Sequence, residues 1–316
     1  MTETGSQRKV HTILGAGGAI GHSLWKELKA TDHRVRRVHP SPEAGPDSRS
    51  ADLARRDEAI AAIEGSDVVY LLLDLQYDTH VWEDQWPSIM RHVIEGCKRH
   101  GARLIFFDNV CMYGQVRGPM TEDTPYNPCS KKGEIRARIA TELLQEVQSG
   151  HLQALIARSA DFYGPHAVNG IPNTLVFDQL IRSGKALCLA DDQTKHSYAY
   201  TRDASRGLIL LAQEEDVWNQ VWHLPTATEP YTGRAFIEEA ARELGLKPKS
   251  FILRRWMTRV GGAMNPLIRE IEEMIYQHEI DYIVDSTKIC QRFNITPTPY
   301  RVGIQETAQA LLARRS

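Results

Sequence analysis

The sequence predicts an α/β chain built on a doubly wound parallel sheet. Three observations carry this. Short apolar runs alternate with segments of helical spacing. One run, Val68-Val69-Tyr70-Leu71-Leu72-Leu73, is apolar throughout, as for a strand covered on both faces. A glycine-rich turn joins the first run to the first helical segment. Such alternation builds right-handed βαβ crossovers and hence a parallel sheet.

The elements follow in order. Residues 1 to 8 read as a polar tail. Val10-His11-Thr12-Ile13-Leu14 is a β-rich run, and Ile20, Leu24 and Leu28 set a helix over residues 18–30. Arg34 to His39 is a second strand, stopped by Pro40 and Pro42. Leu53, Ile60 and Ile63 share one face of a helix over residues 52–64. After the strand at Val68, Trp82, Trp86, Ile89, Val93 and Cys97 mark a long helix over residues 81–100, with Pro87 setting a later start or a kink. Leu104 to Phe107 is a strand, Ile135, Ile139, Leu143 and Val147 form a helical stripe, and Leu152 to Ala157 is the next strand. Beyond Gly164-Pro165 the alternation stops. From about Thr226 the chain is helix-rich, with charged faces such as Glu238, Glu239, Arg242 and Glu243.

Composition bounds the function. The 316 residues carry 38 Lys plus Arg against 40 Asp plus Glu, a net charge of −2. That balance weighs against a nucleic-acid partner, which calls for a basic excess. The apolar runs are too short to span a membrane, and Met1 to Lys9 lacks a signal-peptide core. The five cysteines (97, 111, 129, 188, 290) are scattered and odd in number. They suit a reducing cytoplasm and neither a disulfide framework nor a zinc site. No His, Cys, Asp or Glu group has metal-ligand spacing, so no metal is expected.

The strongest local signal is Gly15-Ala16-Gly17-Gly18-Ala19-Ile20-Gly21, placed after a strand and opening a helix. Gly15 suits the tight turn, Gly18 a close approach to pyrophosphate, and Gly21 close packing of helix on strand. The helix N-terminus adds free N–H groups and a positive dipole end. The second strand, Arg34-Val35-Arg36-Arg37-Val38-His39-Pro40-Ser41, has no acid at its end to bond ribose hydroxyls; the first acid is Glu43. Arg36 or Arg37 with His39 and Ser41 are candidates for a 2′-phosphate, so NADP is expected ahead of NAD. Asp52 is read either as a partner of the adenine amino group or as the cap of the following helix.

Taken together, the sequence resembles the extended short-chain dehydrogenase/reductase family, its NAD-dependent epimerase/dehydratase group. The resemblance rests on the glycine turn, on Asp67-Val68-Val69-Tyr70-Leu71-Leu72 and on Val110-Cys111-Met112-Tyr113-Gly114. It rests also on Ala157-Arg158-Ser159-Ala160-Asp161-Phe162-Tyr163-Gly164-Pro165 and on His196-Ser197-Tyr198-Ala199-Tyr200-Thr201-Arg202-Asp203-Ala204. It implies a Rossmann-type doubly wound sheet with a smaller, discontinuous C-terminal substrate lobe. The expected division is residues 1–164 plus 197–223 for the cofactor domain, and 165–196 plus 224–316 for the lobe. The expected cofactor contacts are Gly15, Gly17, Gly18, Ala19, Ile20, Gly21, Arg36, His39, Asp52, Leu53, Leu72 and Ser159. A homodimer through the helices at 81–100 and 133–148 is implied as well.

Members of that family use a Tyr-x-x-x-Lys pair and a Ser or Thr. This chain has no Tyr-x-x-x-Lys. Counting back from Arg158 places Cys129 at the tyrosine position and Gly133 at the lysine position; counting from Tyr113-Gly114 places Asn109, preceded by Asp108, at the Ser/Thr position. The catalytic candidates are therefore Asn109 as a donor to a substrate carbonyl, Lys132 (or Lys131) as a cation, and Tyr113 or Asp108 as the proton-transfer group. Cys129 is read either as a thiol activated by the lysines or as an inert small side chain. Asp74, Tyr77, Trp82 and Trp86 follow the fourth strand, where ligands of such sheets bind. His166, Asn169, Arg269 and Tyr276 are further candidates, and His22 reads as a packing residue. The expected function is redox or isomerisation at a carbinol or ketone carbon of a small polar, possibly sugar-derived, molecule. The alternative is a noncatalytic NADP-binding sensor.

Overall fold

The computed structural model describes residues 8–41, 45 and 47–314. The tail to residue 7, Pro42 and Glu43 lie outside the described residues. The chain opens with β1 (Val10–Leu14), α1 (Ala19–Lys29), β2 (Arg34–His39), β3 (Ser48–Ser50) and α2 (Arg56–Ile63). There follow β4 (Val68–Leu71), α3 (Thr79–His100), β5 (Arg103–Asp108), a 3-10 turn at Cys111–Tyr113, α4 (Lys131–Gln148) and β6 (Ala154–Arg158). Next come β7 (Asp161–Tyr163), a π-helical turn at Asn173–Phe177, α5 (Asp178–Ser183), β8 (Ala186–Leu189), β9 (Lys195–His196), β10 (Tyr198–Tyr200), α6 (Thr201–Gln213) and β11 (Val221–His223). The chain closes with β12 (Tyr231–Thr232), α7 (Gly233–Glu243), β13 (Ser250–Leu253), α8 (Arg255–Gly262), α9 (Pro266–Met274), a 3-10 turn at Ile275–His278, α10 (Thr287–Phe293) and α11 (Tyr300–Ala313).

Seven strands form one sheet in the order β11-β6-β5-β4-β1-β2-β3, with every adjacent pair parallel. This is the Rossmann-type architecture that the alternation predicts. Both faces are covered. One core joins α2, α3 and α4 to the sheet through Trp86, Ile89, Val93, Phe106 and Ile139. The other joins α1 and α6 through Leu24, Leu28, Tyr70, Leu208 and Leu211. Strand β4 is buried at every residue, which is why it reads as an unbroken apolar run. A third core, around Phe177, Phe236, Tyr300 and Ile304, lies beyond the sheet.

Local chemistry moves some boundaries. The spacing predicts a helix from residue 52, but the Asp52 carboxylate accepts the Ala54 N–H at 3.0 Å, which holds a turn, and α2 starts at Arg56. The Asp78 carboxylate accepts the N–H groups of His80 and Val81; that cap starts α3 at Thr79, and the helix runs on through Pro87 to the left-handed Gly101. Among the described residues no helix is long and apolar enough to cross a membrane.

Candidate functional site

The C-terminal ends of β1, β2, β4, β5 and β6 open onto one long cleft. At its centre Gly15 takes φ +90°, and a Cβ there would lie 2.7 Å from the Leu72 carbonyl oxygen. At Gly21 a Cβ would lie 2.6 Å from the Gly15 oxygen. Both positions are therefore closed to side chains by the protein itself. Gly18 differs: its nearest atom would be at 3.5 Å, an ordinary contact, and it lines the cleft. The free space at Gly18 suits a pyrophosphate. The N–H groups of Ala19, Ile20 and Gly21 have no acceptor among the described residues, and no acidic residue occupies the first turn of α1. That end of α1 is an anion cradle.

On one side of the cradle, Gly15, Val38, Pro40, Ala51, Asp52, Leu53, Leu73 and Leu75 form a small hollow of adenine type. Asp52 and Leu53 line it; the reading of Asp52 as the cap of the following helix does not hold, since the N-cap of α2 is Arg55 and the Asp52 carboxylate is engaged in the turn before it. His39 packs edge-on against the turn: a Cβ on Gly17 would lie 2.5 Å from its ring. Arg36 does not serve this site. Its guanidinium is buried and donates to the Ala62 and Glu64 carbonyls, Thr12 and Ser66. It caps the C-terminal end of α2 and is turned away from the place of a 2′-phosphate. Arg37 lies over the Trp25 ring, 4.5 Å from its centroid.

On the other side lies a cavity of about 420 Å³. Leu72, Asp74, Tyr77, Trp82, Asn109, Ser159 and Asp161 line it together with Gly18, Ala19 and Ile20. A smaller hollow continues from it past Asn109, Lys132, Asp161 and His278. Asn109 is held in a fixed sense. Its Oδ1 accepts from the Cys111 N–H at 3.1 Å and from the Cys111 thiol at 3.0 Å. A backbone N–H only donates, so Oδ1 must face it and Nδ2 is left without a partner among the described residues. Ser159 lines the cavity, but its hydroxyl donates to the Ala160 carbonyl at 2.8 Å. Asn169 bonds Asp74 at 3.0 Å across the cavity rim.

The other catalytic candidates are committed elsewhere. The Tyr113 phenol is buried, 2.7 Å from His223 Nε2 and 2.6 Å from an Arg158 nitrogen. Burial pushes it up to about 12 despite the arginine, and it lines neither cavity. Asp108 is fully buried between Arg136 (3.3 Å) and Arg158 (3.5 Å). Burial pushes its carboxyl up against the pull of both guanidinium groups. It anchors a buried charge cluster and is not free for proton transfer. Lys132 is fully buried and bonds Glu270, Glu273 (2.7 Å) and Thr79 (2.8 Å). Its charge is spent on the two glutamates of α9. Lys131 pairs with Glu134 at 2.8 Å. Neither lysine activates Cys129, which is exposed and whose thiol is raised by partial burial. Gly133, which the count from Arg158 sets at the family's lysine position, is pressed against the Cys111 carbonyl: a Cβ would lie 2.8 Å from it. Trp86 is core, and Arg136 stacks on it at 4.1 Å. His22 packs on His166 at 4.2 Å. His166 bonds Arg314 at 2.7 Å, and Tyr276 is buried, bonding the Cys111 carbonyl at 3.3 Å.

One cluster was not singled out in the sequence. Asp161 faces the cavity, and its Oδ2 lies 3.1 Å from His196 Nε2. The His196 ring is stacked on His278, with centroids 4.6 Å apart and planes 6° from parallel. Asp161, His196 and His278 bring ligand-type atoms within 4.8 Å of one another. The lone pairs of two parallel rings point along separate planes, however, so the stack as it stands does not present both imidazoles to one ion. Burial works to raise the Asp161 carboxyl, but the hydrogen bond from His196 and the nearby imidazoles outweigh it and hold it below the ordinary value. His278 is lowered to about 3, chiefly by burial, and is neutral at pH 7. The signal for this cluster was weak: Asp161 and His196 stand 35 residues apart, and His278 is farther still.

A parallel sheet with a glycine cradle at the N-terminus of α1, an adenine-type hollow beside it and a cavity beyond it defines a dinucleotide-binding Rossmann protein. Residues 11–223 match the NAD dependent epimerase/dehydratase family. The chain belongs to that family. It is 27% identical over 176 residues to the uncharacterized protein y4nL of Sinorhizobium fredii (strain NBRC 101917 / NGR234), a match covering 53% of this chain and 48% of that one. The chain thus spans about half the length of that relative. It is 24% identical over 232 residues to the uncharacterized UDP-glucose epimerase YtcB of Bacillus subtilis (strain 168), covering 63% of this chain and 71% of that one. Among solved structures, MoeE5 in complex with UDP-glucose and NAD superposes with a TM-score of 0.80 at 19% identity, over 98% of this chain and 100% of that one. That likeness is one of fold.

Proposed function

We propose that this chain is an NAD(P)-dependent oxidoreductase or isomerase acting at a carbinol or ketone carbon of a small molecule. One observation carries the reading. A single cleft runs from the anion cradle of α1 to the unpartnered Nδ2 of Asn109. A bound nicotinamide dinucleotide would supply hydride exchange at the far end of that cleft. The chain's own part is to seat the pyrophosphate on Ala19, Ile20 and Gly21, to orient a substrate oxygen with the Asn109 amide, and to exclude water with the walls of the cavity. NADP is preferred over NAD in this reading, because β2 ends in His39-Pro40-Ser41 with no carboxylate and because His39 borders the turn. The support comes from His39 and Ser41, with Arg36 withdrawn.

A noncatalytic sensor is the second reading. It is favoured by the commitment of Tyr113, Lys132 and Asp108 to buried networks. Binding of NADP, NADPH, NAD and NADH to the purified protein, by calorimetry, tests the common ground. Absence of binding by all four would overturn both readings. Turnover of any carbonyl or alcohol in a panel separates the enzyme from the sensor; affinities that differ strongly between NADP and NADPH without turnover select the sensor.

A further inference from the structure

We propose that the substrate end of the cavity takes a small, phosphate-free ligand with an apolar or aromatic body, one that presents a hydrogen-bond donor to Asp161 and an oxygen to Asn109. This rests on the reading that a dinucleotide fills the rest of the cleft. It departs from the sugar-derived substrate expected from the sequence.

The walls come first. Tyr77, Trp82, Phe107, Phe162, Ile171 and Ile271 enclose the space. These side chains reward burial of apolar surface and offer few partners to a polyhydroxylated ring.

The charges are more decisive. A nucleoside diphosphate brings at least two negative charges, and burying them requires cations free to pair with them. The cations that line the two hollows are Arg136 and Lys132. Arg136 is held by Asp108 and by the faces of Trp82 and Trp86. Lys132 is held by Glu270 and Glu273 at once, and Glu273 is kept below its ordinary value: burial would raise it, but Lys132 outweighs that. The lining also includes Asp161, whose side chain is 29% exposed. Paired with a neutral His196 it carries −1; paired with a protonated one the couple carries zero. Neither state attracts an anion. His278, which faces the same hollow, is uncharged.

What remains is two fixed polar points in an apolar shell. Asn109 Nδ2 is a donor with no acceptor among the described residues. Asp161 is an acceptor oriented from behind by a buried imidazole. A hydroxyl on an apolar frame can donate to Asp161 and accept from Asn109 Nδ2, whereas a phosphate could accept from Asn109 but would face the Asp161 carboxylate with both lining cations already paired.

The test uses full-length protein whose dinucleotide affinity is measured first and which is then saturated with that dinucleotide. UDP-glucose and UDP are titrated by calorimetry, and benzyl alcohol, 4-hydroxybenzaldehyde and 4-hydroxyacetophenone, each of which carries a hydroxyl donor and an acceptor oxygen, by ligand-observed NMR. Wild type should show no UDP-glucose binding at millimolar concentration and binding of at least one aromatic probe. Glu270→Gln with Glu273→Gln frees Lys132, and Asp161→Asn removes the cavity anion. Each should tighten UDP binding by about tenfold or more. Thermal unfolding and retained dinucleotide affinity show that each variant is folded, and Asp161→Asn stands alone should the double variant fail to fold. Tight UDP-glucose binding by wild type would overturn the proposal. So would variants that fold and gain nothing, or an aromatic panel that does not bind. A protein that binds no dinucleotide at the first step would instead overturn the functional reading beneath it.

Discussion

The Cα of Gly133 faces the carbonyl oxygen of Cys111 so closely that a Cβ would stand 2.8 Å from it, with Ser130 Oγ at 2.9 Å on the other side. The contact leaves no room for any side chain at residue 133. The first turn of α4 is packed onto the 3-10 turn that follows β5. Gly133→Ala should therefore lower stability by about 1–3 kcal/mol through overpacking, although alanine favours a helix by about 1 kcal/mol over glycine. Urea unfolding measures the difference, and equal or higher stability of the variant would contradict the close contact.

The glycines of the turn should separate into two kinds. Gly15→Ala meets both a positive φ and the Leu72 carbonyl, so it should destabilise the fold itself. Gly18→Ala meets only an ordinary contact. Its stability should stay within about 0.5 kcal/mol of wild type, while dinucleotide affinity falls by about tenfold or more. Paired unfolding and binding measurements decide this. Equal losses in both properties for both variants would refute the distinction.

Buried histidines set an acid limit. His11 and His223 are each lowered to about 4, chiefly by burial. In the unfolded chain they take up a proton near pH 6.5. Between those values the unfolded state binds more protons, so stability is intact above about pH 6.5 and falls as pH drops toward 4. Each residue contributes a slope of up to about 1.4 kcal/mol per pH unit. The carboxylate of Asp161, lowered in the fold, adds its loss only at lower pH still. Unfolding free energies across pH 7 to 4 should show the decline, and His223→Gln should remove about one proton's worth of slope. An unchanged slope would contradict the neutral state of His223.

Cofactor preference is testable at two residues with opposite expectations. Arg36→Ala should cost stability, because four acceptors lose their donor, and leave NADP affinity unchanged. His39→Asp places a carboxylate at the end of β2. It should weaken NADP by about tenfold or more and favour NAD. Calorimetric titration of both dinucleotides reads the outcome.

The sheet was legible because its signals are local. A strand apolar on both faces, a helix stripe and a glycine turn each occupy a few consecutive residues, as at Val68–Leu71 and Gly15–Gly21. The hollow beside the glycine turn draws on residues just as local, such as Leu53. The substrate side was not legible in that way. Lys132 looks available in sequence, and the approach of Glu270 and Glu273, 138 and 141 residues later, cancels it. Arg36 looks like a phosphate ligand because the arginines of β2 are adjacent in sequence, but alternation sends Arg36 and Arg37 to opposite faces. Tyr113 has a motif around it, and its burial depends on Arg158 and His223 from two other strands. Asp161 of β7 and His196 of β9 acquire meaning only when β10 pairs with β7, setting Tyr198 opposite Asp161 and bringing His196 within reach.

The Lys132–Glu270–Glu273 cluster also bears on how the molecule moves. It joins the first turn of α4 to α9, and its lysine is out of reach of solvent. Salt in solution screens such a contact far less than it screens a surface pair. Swinging α9 away would carry both carboxylates with it and leave the buried Lys132 ammonium without its counter-charges, at a cost of several kcal/mol. The cluster thus acts as a rivet. The part of α9 that reaches the cavity, Ile271, is thereby held in place against α4.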